Sequence, residues 1–169
     1  MIDTYYIGVD PDTTTTGIAI VGPRGVTLHI ARARGRVAKD RFAGMAVAVT
    51  DIIRERLAIL NFSPDRAVAA IEWQHIRHRE RNPNSMMGVQ AVAGMALSSL
   101  AEFVLSDSIL LPIPSQWKGS VPKEIHQKRV LRAAGLTDDS PEFFGIPKGQ
   151  RQHAIDALGL AMWARGRDE

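Results

Sequence analysis

Residues Tyr5–Val21 read YYIGVDPDTTTTGIAIV. Two runs of β-branched and aromatic residues, Tyr5–Val9 and Gly17–Val21, flank a turn rich in Pro and Thr. That is the pattern of two strands joined as a hairpin. Asp10 stands where the first strand ends. A carboxylate at the tip of a buried strand needs a counter-charge, a metal or hydrogen-bond donors. On this stretch alone, an Asp that caps its own turn through neighbouring backbone amides is the simpler reading.

Beyond the hairpin, Pro23-Arg24-Gly25 marks a turn and Val26–Ala33 a third strand, with His29 expected to be a satisfied histidine. Arg32, Arg34, Arg36, Lys39 and Arg41 form a basic run whose plain reading is a solvated loop. Met45, Val49, Ile52, Ile53 and Leu60 recur with helical spacing, which predicts a helix over Asp40–Leu60, stopped at Phe62-Ser63-Pro64. Ala67–Ile71 is an uninterrupted apolar run ending in Glu72, the second acid at the end of a buried strand. Lying parallel to and beside the first strand, it would bring Asp10 and Glu72 to one sheet edge, where open sheets collect ligands. Arg77, Arg79 and Arg81 follow directly. They suit either charge compensation or bidentate contacts to a phosphate backbone.

The uncharged stretch from Asn82 to Ala101 raises the question of a membrane span. Its Asn82, Pro83, Asn84, Gln90, Ser98 and Ser99 argue instead for a buried or interfacial helix, Ser85–Leu105. That helix is apolar nearly all round and thinned by Gly88, Ala91, Gly94 and Ser98, so it suits interior burial or a homodimer seam. Ile109–Ile113 reads as a fifth strand. The segment PSQWKGSVPKEIHQKRV then runs through a loop into a helix, with Pro122 in its first turn. Trp117 beside Lys118 suits nucleic-acid stacking and phosphate contact, and packing explains the Trp equally well. Thr137–Gly149 has the composition of a loop and Gln150–Arg165 that of a final helix. On that helix His153 and Asp156 are spaced i,i+3, so they share a face near its start, the spacing of a metal-ligand pair.

A chain of 169 residues is expected to form one domain, and 45% hydrophobic with 23% charged residues is ordinary for a soluble globular protein. The absence of cysteine excludes disulfides, thiolate zinc sites and thiol nucleophiles, and is compatible with a cytoplasmic location. No secretory signal is visible at the start. A net charge of +3 with a pI near 9.6 permits a nucleic-acid partner without demanding one.

Asp10, Glu72, His153 and Asp156 are therefore the candidate constellation. Three carboxylates brought together repel one another unless cations neutralise them. Two Mg²⁺ ions, with Mn²⁺ able to substitute, would do so, and such a pair activates water for attack on a phosphodiester.

In its motifs and their order the sequence resembles the RuvC family of Holliday-junction resolvases, within the ribonuclease H-like superfamily, across nearly the whole chain. The residues that carry the resemblance are Ile7-Gly8-Val9-Asp10-Pro11 with Thr16-Gly17, then Ala70-Ile71-Glu72, Gln116-Trp117-Lys118, and His153-Ala154-Ile155-Asp156-Ala157-Leu158. The resemblance implies an α/β fold with a five-stranded mixed sheet in the order βββαβαβα. It also implies a homodimeric, Mg²⁺-dependent endonuclease that nicks a four-way DNA junction symmetrically. Asp10, Glu72, His153 and Asp156 would hold the metals, Lys118 and Lys123 would contact DNA, and the helix Ser85–Leu105 would form the dimer seam. Compact relatives occur in phages, which makes a phage source the expectation.

Four departures stand out. Asp12 replaces the glycine usual after the Asp-Pro pair. His75 falls where the family carries an aromatic residue that helps to open the junction. The loop before Lys123 is shorter, and the Thr137–Gly149 segment is longer. Three rival readings accompany this one: an actin-like ATPase or sugar kinase, whose second phosphate loop the chain lacks; an RNA-processing nuclease of the same fold; and a non-catalytic DNA-binding module.

Overall fold

The computed structural model describes residues 4–33, 38–74 and 83–168. Three antiparallel strands open the chain: β1 (Tyr5–Asp10), β2 (Thr15–Gly22) and β3 (Gly25–Arg32). Helix α1 (Ala38–Leu60) leads to β4 (Ala67–Ile71), which lies parallel to β1. Helix α2 (Pro83–Leu100) returns the chain to β5 (Ile109–Leu110), parallel to β4. The short α3 (Pro114–Trp117), α4 (Lys123–Ala134) and α5 (Arg151–Asp168) complete it. The sheet order is β3-β2-β1-β4-β5, mixed and five-stranded as expected; after β5 the short α3 precedes the two helices expected from the sequence, where the pattern βββαβαβα has one.

The pleat sends alternate residues of β2 to opposite sides. Ile18 and Ile20 join Ile7, Val9, Met45, Val49, Ile53, Val92 and Leu100 in the core beneath α1 and α2. Ala19 and Val21 turn the other way, into a core with Leu28, Val130, Phe143, Ala154 and Leu158. That second core is built on α5, whose Ala154, Ala157, Leu158, Leu160, Ala161 and Ala164 are all fully buried. Its small residues let the helix backbone descend onto the sheet. A Cβ at Gly8 would overlap the carbonyl oxygen of Ala157, and one at Gly17 the carbonyl oxygen of His153.

Several boundaries depart from the sequence reading. The fifth strand ends at Leu110 rather than Ile113, because Pro112 has no N–H for the ladder; its carbonyl still accepts from the Trp73 amide at 2.8 Å. The long apolar helix stops at Leu100, whose carbonyl takes the amides of both Phe103 and Val104, rather than at Leu105. Pro122 sits one residue before α4 instead of within its first turn. His29 is not satisfied: its Nε2 is buried without a hydrogen-bond partner among the described residues, and burial pushes its pKa down to about 4. No helix among the described residues is long and apolar enough to cross a membrane.

Candidate active site at the carboxyl ends of β1 and β4

Strand register brings the acids together. Val9 faces Ile71 across the parallel β1–β4 pair, and the Glu72 amide donates to the Val9 carbonyl at 3.0 Å. Asp10 and Glu72 are thus the next residues out on neighbouring strands. Across the hairpin Asp10 faces Gly17, and Gly17 lies directly beneath the His153 carbonyl. The first turn of α5 is therefore held over the end of β1, and His153 Nδ1 lies 3.1 Å from Asp10 Oδ2. Asp156 follows one helical turn later. Asp10, Glu72 and Asp156 are all buried, at 9%, 4% and 4% exposure, which for three carboxylates requires compensating partners.

The turn-capping role, the simpler reading of Asp10 on its own stretch, belongs to Asp12. Its Oδ1 accepts from the Thr14 amide and the Thr14 hydroxyl, both at 2.8 Å, and from the Thr15 amide at 3.4 Å. The Thr16 hydroxyl donates back to the Asp12 carbonyl at 3.0 Å. This Asx-type arrangement fixes the turn and leaves Asp10 free to face α5.

Each of the other two acids is held by an amide and a lysine. Glu72 Oε1 accepts from Gln74 Nε2, while its Oε2 accepts from Trp117 Nε1 at 2.9 Å and from Lys118 Nζ at 3.1 Å. Asp156 Oδ1 accepts from Gln127 Nε2 at 2.9 Å, and its Oδ2 pairs with Lys123 Nζ at 3.1 Å. Asp10 has His153. Burial pushes the Asp10 carboxyl up to about 6 against the lowering effect of the His153 hydrogen bond, and the charges of Asp156 and Glu72 add to the rise. His153 is raised, chiefly by its hydrogen bond to Asp10.

The acids and histidine singled out from sequence thus lie at one sheet edge, and Lys118 and Lys123 reach into the same site. They do not form a finished metal cage: among the described residues, no three His, Asp or Glu side chains stand close enough to hold an ion as they are. The two lysines occupy the Glu72 and Asp156 oxygens instead. His75, Arg77, Arg79 and Arg81 lie outside the described residues. The sequence reading passed over Gln74, Gln127 and Gly159. Gln127 had a signal, since it stands i+4 from Lys123 and so shares its helix face.

No protein-family model matches the chain. No curated protein matches it either. Solved structures do. Thermus thermophilus RuvC in complex with a Holliday junction substrate superposes with a TM-score of 0.65 at 17% identity, over 98% of this chain and 96% of that one. A second structure of Thermus thermophilus RuvC gives a TM-score of 0.64 at 18% identity over the same shares. Over its whole described length, then, this chain is built on the α/β, ribonuclease H-like fold of those RuvC structures.

Proposed function

We propose that the chain is a divalent-metal-dependent endonuclease that nicks branched DNA, with the four-way junction as its substrate. The observation that carries this reading is the meeting of Asp10, Glu72, His153 and Asp156 at the β1–β4 edge with Lys118 and Lys123 facing them. The actin-like ATPase reading would need two such domains, and no second phosphate loop is visible in the sequence.

The donor set fits a hard cation. Buried carboxylates that raise one another's proton affinity gain most from an added positive charge, and oxygen-rich sites take Mg²⁺ or Mn²⁺. Asp10, Glu72, His153 and Asp156 would hold the ions, which would supply the charge that lowers the pKa of water and stabilises a leaving 3′ oxygen. Lys118 and Lys123 are 30% and 51% exposed at their side chains, so each can turn from its carboxylate to a DNA phosphate. His153 Nδ1 and Asp10 Oδ2 are hydrogen-bonded at 3.1 Å and keep each other in place.

A homodimer is part of the proposal, since symmetric nicking needs two such sites. On α2, Met87 is 60% exposed, Ala91 and Ser98 are exposed, and nothing lies within 4 Å of a Cβ placed at Gly94. A second copy could approach closely along that stripe.

The test is a cleavage series on junction, fork, duplex, single-stranded DNA and structured RNA, with Mg²⁺, Mn²⁺ or EDTA. Paired nicks in the junction alone, only with metal, are expected. Asp10→Asn should abolish nicking and leave junction binding in EDTA intact. Lys118→Ala should weaken binding and reduce the slope of log affinity against log salt by about 1. Preferential cutting of the RNA would favour the RNA-processing reading. Binding without any nicking would favour the non-catalytic module.

A further inference from the structure

We infer that Trp117 is a positioning residue for Glu72, and that Gly159 exists as its seat. The inference rests on the nuclease reading and concerns how the β4 acid is aimed. Glu72 has three side-chain donors among the described residues, and they are not equivalent. Lys118 is part-exposed and lies where phosphate can draw it away. Gln74 is half-buried. Trp117 is buried, and its indole N–H reaches Glu72 Oε2 from inside the protein at 2.9 Å.

Everything around the indole immobilises it. It belongs to the one-turn helix α3, pinned by the Ile113 amide donating to Gln116 Oε1 at 2.9 Å and by the Lys118 amide donating to the Pro114 carbonyl at 3.0 Å. The ring meets His126 of α4 edge-on, 5.0 Å between centroids and 76° between planes. It packs with Ala70 of β4 and with Leu160 and Ala164 of α5. Its far edge rests over Gly159, where an added Cβ would come within 2.8 Å of Cζ3. Gly159 lies on α5 three residues after Asp156, so the helix that carries one acid also supports the donor to another.

An indole N–H is suited to this task. It donates one hydrogen bond in a fixed direction, carries no charge to compete with a cation, and does not titrate. Outer donors of this kind orient a ligating carboxylate, and their loss typically weakens metal affinity or activity 10- to 100-fold.

The experiment compares wild type with Trp117→Phe, which keeps an aromatic ring and loses the N–H, and with Gly159→Ala, which displaces the ring and keeps the N–H. Three quantities are read: the Mg²⁺ concentration for half-maximal junction nicking, Mn²⁺ binding by calorimetry without DNA, and junction binding in EDTA. Both variants should need about 10- to 100-fold more Mg²⁺ and bind Mn²⁺ correspondingly more weakly, with unchanged junction binding. In the wild type, the Trp117 ¹⁵N–¹H indole resonance, assigned as the one that survives in both Trp73→Phe and Trp163→Phe, should shift during the Mg²⁺ titration with the midpoint seen for nicking. This measurement serves even if both variants fail to fold. Variants that match wild type in metal midpoint and Mn²⁺ affinity, or an indole resonance indifferent to Mg²⁺, would overturn the assignment. A wild-type protein that neither nicks nor binds Mn²⁺ would overturn the nuclease reading instead.

Discussion

On one face of the sheet, α1 and α2 cover Ile7, Val9, Ile18 and Ile20 with side chains as large as Met45, Ile53 and Leu100. On the other, α5 lies so close that its backbone carbonyls at His153 and Ala157 rest on Gly17 and Gly8. Side-chain packing leaves a helix some freedom to shift, because neighbours can repack around a change of shape. Backbone resting on backbone leaves almost none. The site is on the second kind of face: His153 and Asp156 are aimed by a helix that the glycines hold in register, over an acid that the strand pairing fixes. The α1–α2 face contributes stability and, on the proposed reading, a surface for the second copy.

The strongest way to break this contrast is to fill the space under α5. Gly8→Ala puts a methyl group into the Ala157 carbonyl and the Ala161 amide nitrogen, with no flexible side chain to yield. A loss of about 4 kcal/mol or more is expected, beyond the range of ordinary overpacking, and the protein should fail to fold. Met45→Ala, on the opposite face, removes a fully buried side chain and should cost about 2–5 kcal/mol while leaving a cooperative unfolding transition. Denaturant melts followed by circular dichroism compare the two. A folded Gly8→Ala protein less affected than Met45→Ala would reverse the argument.

Much of this face was legible in advance. The apolar runs Tyr5–Val9 and Ala67–Ile71, each closed by an acid, foretold two buried strands with their ends at one edge, and the register bears this out. His153 and Asp156 announced themselves as polar residues interrupting a buried helix. What could not be read was which acid had which duty. Asp10 and Asp12 flank the same proline, and aspartate caps turns; only the fold shows Asp12 bonded to Thr14 and Thr15. Gly8 and Gly17 were visible only as members of matching motifs, because a glycine shows its purpose only when the opposing backbone is known. Trp117 was balanced between packing and recognition for the same reason: its partner is 45 residues away in sequence.

A smaller effect separates function from stability within the site. The Asp10 carboxyl has a folded pKa of about 6 against an ordinary value of 3.8. Between those values the folded protein keeps a proton that the unfolded chain has released, so the contribution of Asp10 to stability falls as pH rises from about 4 to 6. At neutral pH the full shift corresponds to about 3 kcal/mol of destabilisation. Asp10→Asn escapes it but deprives His153 of its anionic partner. A net gain of about 1–2 kcal/mol is therefore expected at pH 7 in EDTA, shrinking towards zero near pH 4. Denaturant melts across that range check both the size and the slope. A variant that is less stable than wild type at pH 7 would mean that the His153 pairing outweighs burial.

The smallest effect belongs to the α1–α2 face. The Thr50 and Ser99 hydroxyls meet there at 2.8 Å, and Ser99 also donates to the Met95 carbonyl at 3.0 Å. With two lone pairs and one proton each, the hydroxyls can satisfy this arrangement only if Ser99 gives its proton to Met95 and accepts that of Thr50. Ser99→Ala leaves the Thr50 hydroxyl without that acceptor in a part-buried position, at a cost of about 1 kcal/mol. The same loss should not appear when Thr50→Val is already present, because the partner group is then gone, and a double-mutant cycle of melts measures the difference. Junction nicking by Ser99→Ala should equal that of wild type. A change in nicking would show that the α1–α2 face is coupled to the site, and the separation of duties between the two faces would fail at the place where it is easiest to measure.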